Sequence, residues 1–297
     1  MTATVHTADP TLLTAPEQNA GVRALVGLAL AEDIGRGDLT TEATVAPEAT
    51  AVAEIRQKAP GVICGLPVVA LVFAQLDPQI TVTPFVAEGS FGDRRVVARI
   101  EGPARSLLTG ERTALNFLQR LSGVATASYR AAELVAGTGC TVLDTRKTTP
   151  GQRVLEKYAV RIGGCHNHRA GLDDGILIKE NHIRAAGGIT AAVTAAKRRT
   201  APMQLVEVEI TTLAELDEAV AAGADIILVD NADLAGLRAA VARADEHGTS
   251  GRRPRLEASG GVTLANLADV ARTGVDYVSL GALTHSAGSL DFSLIVL

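Results

Sequence analysis

The stretch QLVEVEITTLAELDEAVAAGADIILVDN, residues 204–231, reads as strand, helix, strand. QLVEVEI alternates, so Leu205, Glu207 and Glu209 share one face. TLAELDEAVAAG has helical period and closes on Gly223, a residue suited to a helix C-terminus. DIILVDN is a second short apolar run in which Ile226, Leu228 and Asp230 share a face. The same cycle extends in both directions after about Ala125. TVLDT, ILIKEN, QLVEVEI, DIILVDN, RLEASGG and YVSLGAL are strand-like, and ITAAVTAAKRR and LANLADVARTG are helical. Strands alternating with helices imply a parallel sheet. Six strands are close to a (β/α) barrel, with a doubly wound open sheet as the alternative.

The first third has a different texture. GVRALVGLALAE (21–32) and LPVVALVFAQL, with Pro67 in its first turn, read as helices. DIGRGDLTTEAT reads as a loop marked by Gly35 and Gly37. AVAEIRQKAPGV, QITVTPFV and RRVVARIEG alternate as half-buried strands, giving an α+β pattern. ARSLLTGERTALNFLQRLSG is a long amphipathic helix with Leu108, Leu115 and Leu118 near one stripe and Arg112 among them. Read from the helix alone, Arg112 snorkels out of the seam or pairs with an acid. The apolar tail in SAGSLDFSLIVL is strand-like and able to return to the first domain. The expected organisation is a lead-in over 1–20, a first domain of 21–125 with 286–297, and a second domain of 126–285.

The chain has 297 residues, 47% hydrophobic and 21% charged, with 3% aromatic residues and no tryptophan. Its core must therefore be built from Ala, Val, Leu and Ile. A formal net charge of −5 argues against non-specific nucleic-acid binding, so any basic site is local. Cys64, Cys140 and Cys165 are odd in number and lack a close-spaced pair, as in a reduced cytosolic thiol set. The first residues carry no basic leader followed by an apolar run, and no apolar segment is long enough for a bilayer, so a cytoplasmic protein is expected.

The second half concentrates charge at strand ends. Asp144, Lys179, Glu209 and Asp230 occupy equivalent terminal positions. An unpaired buried charge costs several kcal/mol. Charges so placed serve one another or a ligand, and the C-terminal mouth is where barrels build their sites. Arg146, Lys147, Arg153, Lys157, Arg161, Arg169 and Lys179 form a concentrated basic field in an acidic chain. Arg suits planar carboxylates and Lys suits phosphates. ASGGVT (Ser259, Gly260, Gly261) and SLGALTHS (Gly281, Thr284, His285) offer the exposed backbone N–H groups of a phosphate corner. Cys165, His166 and His168 resemble metal ligands but lack a second spaced pair to complete a tetrahedral set. The residues thus point to a phosphorylated sugar or similar polyanion and a carboxylate-bearing partner.

DTRKTTPG, GGCHNHR, LIKENH, VEVE, LVDN, EASGG and SLGALTHS, in this order, resemble the quinolinate phosphoribosyltransferase family. LAEDIGRGDLTTEAT, GVICGL and ERTALNFLQRLSGVAT extend the likeness to nearly the whole chain from about Leu25. The resemblance implies an N-terminal α/β sandwich followed by an incomplete α/β barrel of the type II phosphoribosyltransferase kind. It implies nicotinate mononucleotide made from quinolinate and phosphoribosyl pyrophosphate, with release of pyrophosphate and CO2, using Mg²⁺, in de novo NAD synthesis. It implies a homodimer in which Arg112 is supplied across the interface to the substrate carboxylates. By the same matching, Arg146, His168, Arg169 and Lys179 surround quinolinate. Lys147 serves phosphoribosyl pyrophosphate, with Lys179. Glu209 and Asp230 hold ribose hydroxyls and influence Mg²⁺, which is bound mainly through substrate. Ser259, Gly260 and Gly281 cradle phosphate, with His285 near; Thr145 also lies in the implied binding set. Lys147, Lys179, Glu209 and Asp230 are the implied catalytic residues.

Two other readings fit parts of the pattern. A barrel lyase would use Lys179 or Lys147 as a Schiff-base nucleophile, which leaves the glycine corner and the paired carboxylates without a role. A paralogous phosphoribosyltransferase of the molybdenum-transport-associated type would keep the fold and change the acceptor. Arg146 and Lys147 raise a local question, because neighbours in a regular strand cannot face the same way. Either strand geometry breaks at Thr145 or the two serve different ligands.

Overall fold

A computed structural model describes residues 15–201, 204–251 and 253–297. The expected lead-in over 1–20 lies outside the described residues as far as 14. Beyond it, Pro16–Gln18 form a 3-10 turn, and the Asn19 side chain accepts from the N–H groups of Gly21 and Val22 to start α1 (Ala20–Ile34). The loop expected after α1 contains a short helix, α2 (Leu39–Thr44). Asp38 caps it through the Thr41 N–H, a signal overshadowed by the two neighbouring glycines.

The chain then forms β1 (Thr50–Gln57), β2 (Gly61–Val62), α3 (Leu66–Leu76), β3 (Thr81–Pro84), β4 (Phe91–Gly92) and β5 (Val96–Pro103). The final strand is β12 (Phe292–Val296). It pairs antiparallel with β1, placing Leu294 opposite Ile55, and the four-stranded order is β12-β1-β5-β3. The C-terminal tail thus closes one edge of the first sheet. Next comes α4 (Ala104–Val135), 32 residues long. Leu107, Leu115, Leu118 and Leu121 are buried along it, whereas Leu108 is half-buried. The helix continues through Ala125, where the change in composition suggested a domain boundary. Its later turns are rich in small residues, and the Thr126 and Ser128 hydroxyls donate to the Ser122 and Val124 carbonyls without breaking it. Gly123 allows close backbone approach there, since a Cβ would lie 1.8 Å from the Gly288 carbonyl oxygen.

After α4 come β6 (Thr141–Leu143), α5 (Arg153–Ile162), β7 (Ile176–Ile178), α6 (Glu180–Ala186), α7 (Ile189–Lys197), β8 (Val206–Ile210), α8 (Leu213–Ala221), β9 (Ile226–Asp230), α9 (Leu234–Ser250), β10 (Arg255–Ser259), α10 (Leu267–Ala271), β11 (Tyr277–Ser279) and α11 (Ala282–His285). The six strands β6 to β11 form one parallel sheet in the order β6-β11-β10-β9-β8-β7. The order runs monotonically from β7 to β11, and the last strand then pairs with the first. A doubly wound sheet would reverse direction at a switch point. One-way winding with right-handed crossovers keeps the helices on one face and curls the sheet. Between β6 and β7 there is no ladder, so the barrel is incomplete; Leu143 bridges His166 on the open side of β6.

The chain divides into two compact units. One comprises 15–130, 147–164 and 283–297 of the described residues; the other comprises 131–146 and 165–282. The stretch 147–164, expected within the second domain, belongs to the first unit. A buried ion pair explains this placement. Glu156, wholly buried, meets Arg120 of α4 at 2.6 Å and also accepts from the Thr149 N–H and hydroxyl at 3.0 and 2.8 Å. Arg120 in turn donates to the carbonyls of Ala287 and Thr284, and the Thr284 hydroxyl donates to the Lys147 carbonyl at 2.7 Å. One arginine therefore fastens three separate pieces of the chain. Glu156→Ala is expected to destabilise the first unit by roughly 3–5 kcal/mol, because it leaves Arg120 without its acid. Thermal denaturation should show a smaller loss for Glu156→Gln, which keeps one acceptor oxygen for Arg120 and the Thr149 hydroxyl but loses the charge and sets its NH2 against the Thr149 N–H.

Candidate active site

Strand alternation sorts the parallel sheet into two chemically distinct faces. Val142, Ile178, Val206, Val208, Ile227, Val229, Leu256, Ala258 and Val278 make a buried apolar face, and α7 to α10 pack on the sheet. The opposite parity carries Lys179, Glu207, Glu209, Asp230, Arg255, Glu257, Ser259, Tyr277 and Ser279. A packed barrel would normally fill this inner face with branched aliphatic residues. At its base the Arg255 guanidinium donates to the Tyr277 hydroxyl at 2.6 Å. Leu177, Ile226 and Leu228 share this parity, and the other side chains higher up are mainly acids and hydroxyls.

Lys179 caps α6 directly after β7, and its Nζ lies 3.0 Å from Glu209 Oε2 at the end of β8. Asp230 ends β9 and accepts from the Asn231 amide at 2.7 Å. Asn231 has φ of 52°, in the left-handed region, and its N–H donates to the Ser259 carbonyl at 2.9 Å. Gly260 is required beside it: its φ is 84°, and a Cβ would stand 2.2 Å from Asn231 Oδ1. Gly261 also has a left-handed φ, of 64°. The Ser279 hydroxyl donates to that of Ser259 at 3.0 Å, coupling the ends of β10 and β11, and Gly281 follows half-buried.

The open side of β6 is organised by Asp144. Asp144 is fully buried; its oxygens accept from the Asn167 amide at 2.6 Å and the His168 N–H at 2.9 Å. This strand-end carboxylate therefore anchors the 165–169 loop. The His168 Nε2 lies 3.0 Å from Glu207 Oε2 and 3.6 Å from Glu257 Oε2. Arg169 donates from its guanidinium to the Gly175 carbonyl at 3.1 Å. Burial, followed by the positive charge of Arg146, pulls the Arg169 guanidinium below its usual range, while Glu207 partly offsets this. The positive charge of Arg146 thus acts on Arg169, an arrangement suited to a bound polyanion.

β6 ends at Leu143, before Arg146 and Lys147, so neither is bound by strand alternation. Arg146 belongs to the second unit and Lys147 to the first, and both are exposed. Thr145 is half-buried in the second unit. Arg112 is exposed on α4 in the first unit; His285, also in the first unit, is exposed with Nδ1 2.6 Å from the Ser286 hydroxyl. The inner face of the second unit therefore brings together Lys179 with Glu209, and Ser259 with Ser279, while Arg146 and Arg169 lie on the loops that follow β6.

Among the described residues, Cys165, His166 and His168 do not group as converging donors. Burial pushes the Cys165 thiol up to about 12. Among the described residues, the donors that do converge are His168, Glu207 and Glu257, with one ligand atom of each within 4.8 Å of the others. Glu257 was missed in the sequence reading, as was Ser279. The alternation that singled out Glu207 would have placed both on the same face.

Family comparison agrees with this geometry. The model for the quinolinate phosphoribosyl transferase C-terminal domain matches residues 124–295, and that for its N-terminal domain matches 38–122. The chain belongs to the quinolinate phosphoribosyltransferase family. It is 44% identical over 266 residues to a Bacillus subtilis protein described as a probable nicotinate-nucleotide pyrophosphorylase (carboxylating), covering 89% of each chain. It is 41% identical to the Mycobacterium leprae nicotinate-nucleotide pyrophosphorylase (carboxylating), covering 92% of this chain and 96% of that one. The solved nicotinate-nucleotide pyrophosphorylase of Francisella tularensis superposes with a TM-score of 0.88 at 40% identity, covering 96% of this chain and 99% of that one. The incomplete barrel and small antiparallel sheet are thus family architecture.

Glu257 gives this family site a measurable pH signature. Its carboxyl is pushed up to about 8, by burial first and then by the Glu207 charge, while His168 and Ser279 pull it partly back. An unfolded glutamate titrates at about 4.3. Between those values the folded chain keeps a proton that the unfolded chain has lost, so this contribution to stability falls as pH rises through that window. Melting curves for Glu257→Gln should lack this slope, and the advantage of the variant over the parent should widen from about pH 5 to pH 8.

Proposed function

We propose that this chain transfers the phosphoribosyl group of phosphoribosyl pyrophosphate to quinolinate, with decarboxylation, giving nicotinate mononucleotide, pyrophosphate and CO2. This is a pentosyl transfer in pyridine-nucleotide synthesis. The observation that carries the reading is the match of both quinolinate phosphoribosyl transferase domain models along the chain, in which Arg146 and Arg169 stand as the candidate carboxylate ligands.

The residues divide the work by charge. Arg146 and Arg169 bind the acceptor carboxylates, and Lys179 completes that positive side while paired to Glu209. Glu209 and Asp230 hold the ribose hydroxyls and stabilise positive charge that develops on the ribose carbon as pyrophosphate departs. The amides around Gly260, with Ser259 and Gly281, cradle phosphate, and Lys147 and His285 belong to the same proposed binding set. Once the ring nitrogen is ribosylated, its positive charge stabilises the carbanion left on the adjacent ring carbon as CO2 departs, and that carbon takes a proton from solvent. No strong protein base is required, and alignment supplies much of the rate. Lys179, ion-paired and half exposed, is unlike the desolvated lysine of a Schiff-base enzyme.

Glu209 and Asp230 also fit Mg²⁺ held largely through substrate. They supply hard carboxylate oxygens at the ends of adjacent strands, but no closed cage of protein ligands. When bound, Mg²⁺ neutralises charge on the pyrophosphate leaving group. The proposed assembly is a homodimer in a cytoplasmic setting, with Arg112 reaching the partner's substrate. Among the described residues no helix is long and apolar enough to cross a membrane.

The function is tested by incubating the protein with phosphoribosyl pyrophosphate, Mg²⁺ and either quinolinate or nicotinate. Quinolinate should give nicotinate mononucleotide with stoichiometric CO2; turnover of nicotinate alone would assign a different acceptor. For the shared site, Arg112→Ala and Lys179→Ala should each be nearly inactive. Mixing them under conditions of verified subunit exchange should restore a fraction of activity, and no restoration would remove Arg112 from the partner's site.

A further inference from the structure

Thr284 is a buried point at which distant pieces of the first unit meet. It lies in α11, directly before His285, and is wholly buried. Its hydroxyl donates to the Lys147 carbonyl at 2.7 Å, across 137 positions of sequence. Its own carbonyl accepts from Arg120, whose guanidinium also donates to the Ala287 carbonyl at 2.7 Å. One guanidinium thus grips the backbone on both sides of His285 and Ser286.

From Arg120 the contacts return to their start. The guanidinium donates twice to Glu156 Oε1, at 3.1 and 2.6 Å. Glu156 accepts from the Thr149 N–H and hydroxyl, and Thr149 follows Lys147 and Thr148 in the chain. The hydrogen bonds therefore close a ring through Lys147, Thr284, Arg120, Glu156 and Thr149. No buried side-chain atom of these residues lacks a partner. A fully satisfied buried network rigidifies what it joins, whereas apolar packing is non-directional and would leave both backbones less strictly oriented. Lys147 and His285, the two bases carried by the ring, nevertheless have exposed side chains.

We propose that Thr284 is a positioning residue for the phosphate side of the site. Through the Lys147 carbonyl and its peptide link to His285, it holds two bases from distant parts of the chain in one arrangement. Their backbones then need no ordering when phosphoribosyl pyrophosphate binds. The inference rests on the proposed function for the identity of that ligand, and the role belongs to the hydroxyl rather than to the bulk of the side chain.

The test compares Thr284→Val, which keeps the shape and removes the hydroxyl, with Thr284→Ser, which keeps the hydroxyl. Calorimetric titration with phosphoribosyl pyrophosphate and Mg²⁺ should show binding about tenfold weaker in Thr284→Val and within about twofold of the parent in Thr284→Ser. Steady-state kinetics should raise the KM for phosphoribosyl pyrophosphate in Thr284→Val by about the same factor, while the KM for quinolinate stays within about twofold. A purely structural tie would lower the melting temperature of Thr284→Val and leave both affinities as in the parent, and that result overturns the proposal. An equal rise in the two KM values, or a Thr284→Ser variant as impaired as Thr284→Val, also overturns it. If Thr284→Val does not fold, Thr284→Ala takes its place, and failure of both to fold makes the residue structural. A parent that binds phosphoribosyl pyrophosphate but does not turn over quinolinate refutes the functional reading alone, and the titrations still decide the role of Thr284. A parent that does not bind phosphoribosyl pyrophosphate refutes both.

Discussion

Charge placed on the inner face of a parallel sheet must find a partner, and this requirement organises the second unit. Strand alternation sends Glu207, Glu209 and Glu257 to the same face. Aliphatic residues there would pack more favourably, since desolvating an unpaired charge costs several kcal/mol. The acids are accommodated in different ways: Glu207 and Glu257 face His168 at 3.0 and 3.6 Å, and Glu209 meets Lys179. The deeper acids each leave one oxygen without a hydrogen-bond partner, whereas Glu209 and Asp230 stand at the strand ends.

The backbone supports the same division between deep acids and accessible strand ends. Glycine at 260 permits the close approach of Asn231, which fixes the ends of β9 and β10 relative to one another. Asp144, although it terminates a strand like Asp230, is turned to holding the loop that carries His168 and Arg169. In the first unit, Arg120 and Glu156 perform a comparable service for the segment beginning at Lys147. Candidate binding residues on irregular chain are thus tied to regular elements by buried polar groups, which limits the freedom that ligand binding would have to remove.

Much of this plan is local enough to be legible in the sequence. The six parallel strands announce themselves as short apolar runs separated by helical periods, and the alternation of VEVE marks Glu207 and Glu209 as neighbours on one face. Long-range pairing is harder to read. The partnership of Arg120 with Glu156 crosses 36 positions, and it brings 147–164 into the first unit although composition groups that stretch with the barrel. Small residues after Ala125 resemble a change of domain, yet they let α4 continue while other chain segments approach it closely. The two bases after Asp144 escape the alternation problem because β6 has already ended, and they fall in different compact units.

The central claim is that the strand-end charges serve substrate rather than stabilise the sheet. Glu209→Gln tests this directly through parallel measurement of its melting temperature and its turnover with quinolinate and phosphoribosyl pyrophosphate. The pair with Lys179 is partly exposed, its lysine side chain at 50%, so its contribution to stability should be small. The account requires a melting temperature within about 2 °C of the parent and a loss of turnover of about a hundredfold or more. Wild-type turnover accompanied by a clear fall in melting temperature would contradict it, and would make the ring of charges a structural one.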